Sequence, residues 1–209
     1  MNFRKRVSLA IILLGGLLIG SAQAQHGGAN SVHTTMASSV PALPGTSVYQ
    51  LKTPLVDQDG KAFTFDSKRG HPMIVSMFYT SCQFVCPMLI DTMGMVDAAL
   101  SAEERAKLSL MLVSFDPARD KVAALNTVSR QHSLDGSRWS LARTDAANVR
   151  KLAATLGILY RHLSNGEFNH STTLVLLDAE GRIVARTNKL GALDAAFVAQ
   201  VHKTLLSTP

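Results

Sequence analysis

The stretch "MIVSMFYTSCQFVCPMLI", residues 73–90, contains the only two cysteines of the 209-residue chain, Cys82 and Cys86. The apolar run from Met73 to Tyr79 predicts a buried strand, and the cysteine pair follows it at once. A helix is predicted to begin near Pro87, because proline is favoured in the first helical turn. One face of this helix is predicted to be buried, since apolar residues recur at helical spacing: Leu89, Met93, Val96 and Leu100.

Strand-like and helix-like segments alternate in the residues that follow. The predicted strands are Leu108 to Phe115, which ends at "DPARD", and Trp139 to Leu141. Three helices are predicted as well. The first carries Val122, Leu125 and Val128 on one side. The second begins at Thr144-Asp145 and stops at Gly157, and the third runs from Asp194 to Leu206. Strands separated by helices predict a largely parallel sheet with helices on both faces.

Three further segments predict antiparallel strand pairs. They are residues 47–65 around Asp59-Gly60, residues 158–170 around "SNG", and "TTLVLLDAEGRIVART", residues 172–187. We therefore predict an α/β, thioredoxin-like fold, with a central mixed sheet, helices on both faces and an N-terminal β-hairpin. Ligand groups in open α/β sheets gather beyond the carboxyl ends of the parallel strands. An antiparallel strand starting near Thr172 would enter from that end, so His170 is predicted to lie beside the cysteines.

The N-terminal residues predict export. Arg4, Lys5 and Arg6 precede an apolar stretch, residues 7–20, and the spacing of Ala22 and Ala24 suits signal peptidase. We predict a signal peptide of residues 1–24, cleaved after Ala24, and a periplasmic protein. The alternative is a membrane anchor made by residues 7–20, although this stretch is shorter than the roughly 20 residues that a spanning helix needs.

The residues after the predicted cleavage site divide into a tether and one domain. Residues 25–45 are rich in small residues and lack hydrophobic periodicity, which predicts a flexible linker before a domain of residues 46–209. His26, His33 and Met36 lie on the linker and are residue types that can bind copper, but incidental residues on a solvated linker are the simpler interpretation. Removing three basic signal residues lowers the net charge from +6 to +3, and no basic cluster predicts nucleic-acid binding.

Two cysteines four positions apart have several interpretations. A structural disulfide would suit an oxidising compartment, but it would close a loop too short to stabilise a domain of this size greatly. Structural zinc prefers four protein ligands, and the chain has two thiols. A redox couple is favoured by a predicted helix N-terminus beside the thiols, because the helix dipole stabilises a thiolate. No proline lies between Pro117 and Pro209 to face the dithiol, which counts against a general thioredoxin-type oxidoreductase.

Copper is the other interpretation that the residues leave open. Thiolates one helical turn apart can converge on one ion, and a single imidazole would complete a three-coordinate site of the kind that suits Cu(I). A lone histidine before a strand is more often an ordinary loop residue. His170 is the candidate third ligand because of its predicted position at the cysteine edge of the sheet.

Three motifs in order, "FYTSCQFVCPMLI", "SFDPARD" and "NHSTTLVLLDAEGRIV", resemble the Sco/SenC/PrrC family of copper-binding proteins that serve cytochrome c oxidase assembly. The resemblance covers residues 47–206. It implies a thioredoxin-like fold and a copper site made by Cys82, Cys86 and His170. It also implies delivery of copper, or of reducing equivalents, to the binuclear copper centre of the oxidase.

Several positions depart from the family pattern or have two interpretations. Ser81 and Gln83 flank the first cysteine, where the family commonly has His and Pro. Asn169 stands before the histidine, where the family commonly has Asp. The missing carboxylate is expected to make His170 less basic and to alter the docking surface. Asp116 is expected either to lie near the copper, as the resemblance implies, or to cap the following helix. Met93 is predicted to be core, and thioether ligation by Met88, Met93 or Met95 is the less favoured interpretation.

The sequence thus predicts a periplasmic, monomeric copper chaperone that binds copper, as Cu(I) or Cu(II), through Cys82, Cys86 and His170. Its recipient would be the copper-centre subunit of cytochrome c oxidase or another periplasmic copper protein, and a thiol-disulfide reductant would keep its own Cys82–Cys86 pair reduced. The alternative is an enzyme, a thiol-disulfide reductase that reduces the cysteines of a copper-protein partner. A peroxidase on the same fold is disfavoured by the paired cysteines.

Overall fold

The computed structural model of the protein describes residues 42–208, and its centre is a seven-stranded mixed sheet with strand order β2-β1-β5-β4-β3-β8-β9. The strands of this sheet are β1 (Pro54–Asp57), β2 (Ala62–Thr64), β3 (Met73–Phe78), β4 (Ser109–Ser114), β5 (Trp139–Arg143), β8 (Leu174–Leu177) and β9 (Ile183–Thr187). A separate two-stranded sheet contains β6 (Tyr160–His162) and β7 (Phe168–His170).

The centre of the large sheet is covered on both faces, because all six residues of β3 and five of the six residues of β4 are buried. Strands β3, β4 and β5 run parallel to one another, β1 pairs antiparallel with β5, and β8 pairs antiparallel with β3. The outer strands β2 and β9 pair antiparallel with β1 and β8. This is the thioredoxin-like mixed sheet with an N-terminal hairpin that the sequence predicts. The residues that follow β3, β4 and β5 therefore meet at one edge, where β8 enters the sheet.

Five α-helices accompany the sheet in the described part of the chain. They are α1 (Val85–Ala98), α2 (Ala102–Lys107), α3 (Val122–Gln131), α4 (Ala146–Leu156) and α5 (Ala195–Leu206). Helix α4 matches its prediction closely, since the Asp145 side chain accepts hydrogen bonds from the N–H groups of Ala147 and Asn148, and Gly157 ends the helix with a φ of 69°. The predicted buried face of α1 is also confirmed, because Leu89, Met93, Val96 and Leu100 are all buried.

The structure corrects the sequence prediction at several points. Helix α1 begins at Val85, two residues before Pro87, and Val48–Leu51 forms a short 3-10 helix ahead of the N-terminal hairpin. Helix α2 was not predicted, although Ser101 and Glu104 form a capping box at its start and are a sequence signal for a helix. The hairpin around "SNG" forms as predicted, but it makes its own small sheet.

The prediction that Asp116 caps a helix is wrong. Residues 117–119 form a turn, and α3 begins only at Val122 after the N-cap residue Lys121. Asp116 instead serves the turn itself, since its carboxylate accepts from the Arg119 N–H at 3.4 Å and its carbonyl accepts from the Asp120 N–H at 2.9 Å. The chain thus turns back toward the sheet before the helix can begin.

The predicted signal peptide and most of the predicted linker, including His26, His33 and Met36, lie outside the described residues. At the end of the predicted linker, Leu43 packs against the core, and the Pro44 carbonyl accepts a hydrogen bond from the Ser47 N–H at 2.9 Å. Within residues 42–208, no helix combines the length and the apolar character that crossing a membrane requires.

Candidate metal site

Three side chains with metal-binding atoms meet at the carboxyl edge of the parallel strands. The sulfur atoms of Cys82 and Cys86 and a ring nitrogen of His170 all lie within 4.8 Å of one another. Cys82 lies in the loop after β3, Cys86 in the first turn of α1, and His170 at the end of β7. The structure therefore brings together all three residues that the sequence predicts as ligands, and both cysteines are free thiols.

Cys82 acts as the cap of helix α1. The N-cap residue Phe84 makes no side-chain hydrogen bond to the helix, whereas the Cys86 N–H donates to the Cys82 sulfur at 3.3 Å. In α4 and α5 the same task falls to the carboxylates of Asp145 and Asp194. A sulfur in the place of a capping carboxylate is favoured as the thiolate, because the first-turn N–H groups and the helix dipole stabilise negative charge.

The two thiols consequently differ in acidity. A hydrogen bond from the Cys86 thiol, together with backbone N–H groups at the start of α1, lowers the pKa of Cys82 to about 4, although burial opposes the shift. The pKa of Cys86 is raised strongly by its hydrogen bond to Cys82 and by burial. At neutral pH the pair therefore consists of a Cys82 thiolate that accepts a hydrogen bond from a buried Cys86 thiol, and Cys86 keeps its proton.

His170 is oriented with one nitrogen free for a metal. Its Nδ1 atom lies 3.1 Å from the carbonyl oxygen of Ser171, and a carbonyl oxygen can only accept a hydrogen bond. Nδ1 therefore carries the proton in the neutral ring, which leaves the lone pair of Nε2 available. A backbone carbonyl that fixes the tautomer in this way is the usual support of a ligating histidine.

Aromatic side chains enclose the imidazole ring. The His170 ring centroid lies 4.9 Å from that of Phe115 and 5.9 Å from that of Tyr79. Phe115 also stacks on Tyr160 and contacts Phe168, so the residue after β4 packs against both strands of the small sheet. These contacts hold the histidine-bearing hairpin at the edge of the large sheet, although the two sheets share no strand pairing.

Two polar contacts that sequence reasoning missed strengthen this attachment. The Tyr79 hydroxyl donates to the Glu167 carboxylate at 2.6 Å, and Arg119 donates to the Gly166 carbonyl at 2.6 Å. Arg119 also forms an ion pair with the buried Asp116 carboxylate, so it connects the turn after β4 to the hairpin. Burial together with the Glu167 bond raises the Tyr79 pKa.

Asp120 is another residue near the site that sequence reasoning missed. It is fully buried, and its carboxylate accepts hydrogen bonds from the Thr80 N–H at 3.0 Å, from the Thr80 hydroxyl and from the Ser114 hydroxyl. It thereby fixes the loop that leads to Cys82 against the end of β4. The repeat of aspartate in "DPARD" was a signal for a second acidic residue, but the sequence does not show that it turns inward.

The remaining sequence candidates lie outside the ligand cluster. Asp116 is buried beside Arg119 and does not belong to the cluster within the described residues. Asn169 is exposed and, because strand side chains alternate, points away from the face of β7 that carries His170. The hydrogen-bond partner of His170 is the Ser171 carbonyl and not Asn169. The structure therefore gives no contact through which Asn169 would change the basicity of His170. Met93 is buried as predicted, and Met88 and Met95 are exposed.

Comparison with known proteins identifies the relatives of this site. A protein of Stutzerimonas stutzeri that is named as copper-binding is 28% identical over 138 residues, which cover 62% of this chain and 64% of that protein's length. The structure of Bradyrhizobium japonicum ScoI with copper bound is 25% identical with a TM-score of 0.62, covering 73% of this chain and 96% of ScoI.

A third similar protein is BsSco, a member of the Sco family of cytochrome c oxidase assembly proteins. Its structure is associated with the identification of a disulfide switch. It is 18% identical with a TM-score of 0.63, covers 74% of this chain and is itself covered to 91%. At this identity the likeness shows the fold, which is the Sco fold. The sequence profile of the SCO1/SenC family matches residues 46–206, and the chain therefore belongs to the SCO1/SenC family.

Proposed function

We propose that the protein is a periplasmic copper chaperone that binds one copper ion through Cys82, Cys86 and His170. The observation that carries the proposal is the convergence of two sulfur atoms and one imidazole nitrogen within 4.8 Å at the end of the central strands. Two soft sulfur donors and one imidazole suit copper, whereas structural zinc would want a fourth protein ligand. The copper-bound structure of the related Bradyrhizobium japonicum ScoI supports copper as the metal.

Copper would be released by ligand exchange. The site opens at the surface, since Cys82 and His170 are partly exposed while Cys86 is buried. Thiolates of a recipient would displace the exposed ligands first and the Cys86 sulfur last. The proposed recipient is the copper-centre subunit of cytochrome c oxidase or another periplasmic copper protein, and the description of BsSco as an oxidase assembly protein supports the first of these.

The alternative function is thiol-disulfide reduction of a partner's cysteines, which the unequal acidity of the thiols favours. The Cys82 thiolate would attack a partner disulfide and form a mixed disulfide, with release of one partner thiolate. Cys86, after losing its proton, would attack Cys82, release the second partner thiolate and leave a Cys82–Cys86 disulfide. The partner gains the two electrons that the pair loses, and a periplasmic thiol-disulfide reductant would restore the dithiol.

The substitution His170→Ala separates the two functions. A three-ligand copper site needs the imidazole, and changes that only affect the support of a ligand already cost about 10–100-fold in metal affinity. We expect at least that loss of copper affinity, with the greater effect on Cu(II), and a change of less than about 30 mV in the potential of the cysteine pair. The measurement is a copper competition titration beside a redox titration on wild type and variant.

His162→Ala is the matched control, because His162 is an exposed histidine on the neighbouring strand β6 and lies outside the ligand cluster. It should leave both titrations unchanged. If His170→Ala keeps full copper affinity but no longer reduces a partner disulfide, the chaperone proposal is wrong and the reductase is the function.

A further inference from the structure

Exposed apolar side chains are concentrated around the candidate metal site. Among residues 42–208, the large hydrophobic side chains that are exposed are Phe84, Val85, Met88, Met95, Leu159, Leu193 and Leu206. Four of these seven either lie within two residues of a candidate ligand in sequence or hydrogen-bond to the residue that follows one. We call these four, Phe84, Val85, Met88 and Leu159, the apolar collar.

Three collar residues come from the cysteine motif and the start of α1. Phe84 lies between Cys82 and Cys86 as the N-cap residue of α1, and its side chain is 81% exposed. Val85 follows it as the first residue of the helix, and Met88 lies within the same first turn. A helix can be capped by a polar residue at the position of Phe84, as the other caps in this chain demonstrate, so capping does not require an exposed phenyl ring there.

The fourth collar residue lies on the histidine side. The Leu159 N–H donates to the Ser171 hydroxyl at 3.0 Å, and the Ser171 N–H donates to the Leu159 carbonyl at 2.8 Å. Ser171 is the neighbour of His170 and its carbonyl accepts a hydrogen bond from the His170 Nδ1–H group, so Leu159 is held next to the imidazole ligand. Its side chain is nevertheless 77% exposed.

The collar also lacks charge along the motif itself. Residues 72–90 contain no Asp, Glu, Lys or Arg, so neither the loop nor the first turn of α1 offers an ionic contact. Proteins that bind lipid surfaces through exposed apolar residues usually surround them with Lys and Arg. Exposed apolar side chains beside a reactive centre are instead typical of the central part of a protein–protein interface, where aromatic residues and methionine are enriched.

We propose that the apolar collar is the docking surface for the copper recipient, and that this recipient is a protein whose own copper-binding thiols are rimmed by apolar side chains. The inference rests on the proposed function. Ligand exchange brings a recipient sulfur into contact with copper at the site, so the recipient's surface must lie against Phe84 on one side and Leu159 on the other. Burying both side chains in the complex also excludes water from the exchanging ligands.

The test compares two leucines of equal exposure. Leu159→Ser and the double variant Phe84→Ala/Leu159→Ser remove one or both of the two most exposed collar side chains, and alanine at position 84 adds no competing helix cap. Leu206→Ser changes a side chain that is 80% exposed at the end of α5 and outside the collar. Each protein is loaded with one Cu(I) and mixed with the apo, reduced, soluble copper-centre domain of cytochrome c oxidase from the same organism. Transfer is followed by rapid separation and metal analysis, and copper affinity is measured by competition titration.

We expect the second-order transfer rate constant to fall at least tenfold in the double variant and to stay at the wild-type value in Leu206→Ser, with the same copper affinity in all proteins. Unchanged transfer in the double variant would overturn the docking surface and leave the proposed function standing.

Two other outcomes contradict the inference in different ways. Wild-type protein that binds copper but transfers none to the domain overturns the proposed recipient and the docking surface together. Binding of wild type, but not of the double variant, to phosphatidylcholine vesicles shows that the collar contacts lipid, and it overturns the assignment to a protein partner. Because all substituted side chains are exposed, none of the variants should be impaired in folding, and thermal unfolding checks this.

Discussion

The two sides of the candidate site are built in different ways. The thiol side, residues 80–86, continues from the central strand β3, and the buried carboxylate of Asp120 accepts two hydrogen bonds from its first residue, Thr80, and a third from Ser114. The imidazole side is the β6–β7 hairpin, whose strands have three residues each and pair only with each other. It is attached through side chains: the Tyr79–Glu167 and Arg119–Gly166 hydrogen bonds and the packing of Phe115.

This difference indicates which ligand can move. The thiolate of Cys82 is held by the helix N-terminus and by a loop with buried support, so the thiol side keeps its geometry with or without a third ligand. The imidazole depends on a few contacts of a short hairpin with little buried backbone, and such elements open at lower free energy than the core. If the proposed copper transfer occurs, His170 is expected to be the first protein ligand to leave.

The largest expected effect of the difference concerns Asp120. Asp120→Ala should lower the free energy of unfolding by about 2–4 kcal/mol, because it leaves the Thr80 N–H and the Thr80 and Ser114 hydroxyls without their buried acceptor. The thiol side should lose its geometry as well, so copper affinity should fall. Urea denaturation and a copper competition titration measure the two effects.

Asp135→Ala is the control for Asp120→Ala, because Asp135 is exposed and accepts hydrogen bonds from the nearby Ser137 in a surface turn. Its effect on the urea midpoint should be much smaller. An Asp120→Ala protein as stable as wild type would mean that water replaces the carboxylate, and that the thiol side is no more firmly built than the imidazole side.

The second prediction concerns the imidazole side. Glu167→Ala removes the acceptor of the Tyr79 hydroxyl and loosens the hairpin, so the affinity for Cu(II) should fall about tenfold, as is usual when the support of a histidine ligand is lost. The absorption bands of the Cu(II) complex should shift toward those of His170→Ala. The stability to urea should change less than in Asp120→Ala, because Glu167 is only half-buried.

Glu167→Gln distinguishes positioning from charge. Glutamine keeps a carbonyl oxygen that can accept from Tyr79, so this variant should recover most of the copper affinity and the wild-type absorption spectrum. If Glu167→Gln is as weak as Glu167→Ala, the negative charge of the carboxylate matters and the hydrogen bond to Tyr79 does not position the hairpin.

The sequence allowed the thiol side to be placed more fully than the imidazole side. The apolar run of β3 and the helical spacing of α1 are local patterns, and they put both cysteines at the carboxyl edge of the sheet. His170 could be placed there only through the topology, because β8 had to run antiparallel beside β3. The bond between Tyr79 and Glu167 joins residues 88 positions apart, and no local pattern indicates such a pair.

The errors have local physical causes. Asp116 before a proline has the pattern of a helix cap, but Asp120 turns inward to Thr80 and Ser114, and α3 is thereby delayed to Val122. Proline at position 87 lies in the first turn of α1 as predicted, and the helix begins at Val85. The thiolate of Cys82 accepts the first-turn N–H groups, and sequence rules for capping consider oxygen acceptors and not sulfur.

The smallest expected effect is the response of Cys82 to mild acid, and it tests whether the thiol side is organised before any metal arrives. The rate at which iodoacetamide alkylates a thiol follows the thiolate fraction. An ordinary cysteine with a pKa near 8.5 should lose roughly a thousandfold of its rate between about pH 8 and pH 5. Cys82 has a pKa lowered to about 4, so its thiolate persists over this range and is lost only as the pH falls through that value. Its rate should therefore change less than about twofold, and half of it should remain near pH 4, as followed by mass spectrometry of the modified protein.

Cys86→Ser keeps a hydrogen-bond donor to the Cys82 sulfur and should preserve the flat profile, whereas Cys86→Ala removes the donor and should move the fall toward higher pH. A steep loss of the wild-type rate between pH 8 and pH 5 would show that the helix N-terminus and Cys86 do not hold Cys82 as a thiolate, and the contrast between a preorganised thiol side and a yielding imidazole side would then fail.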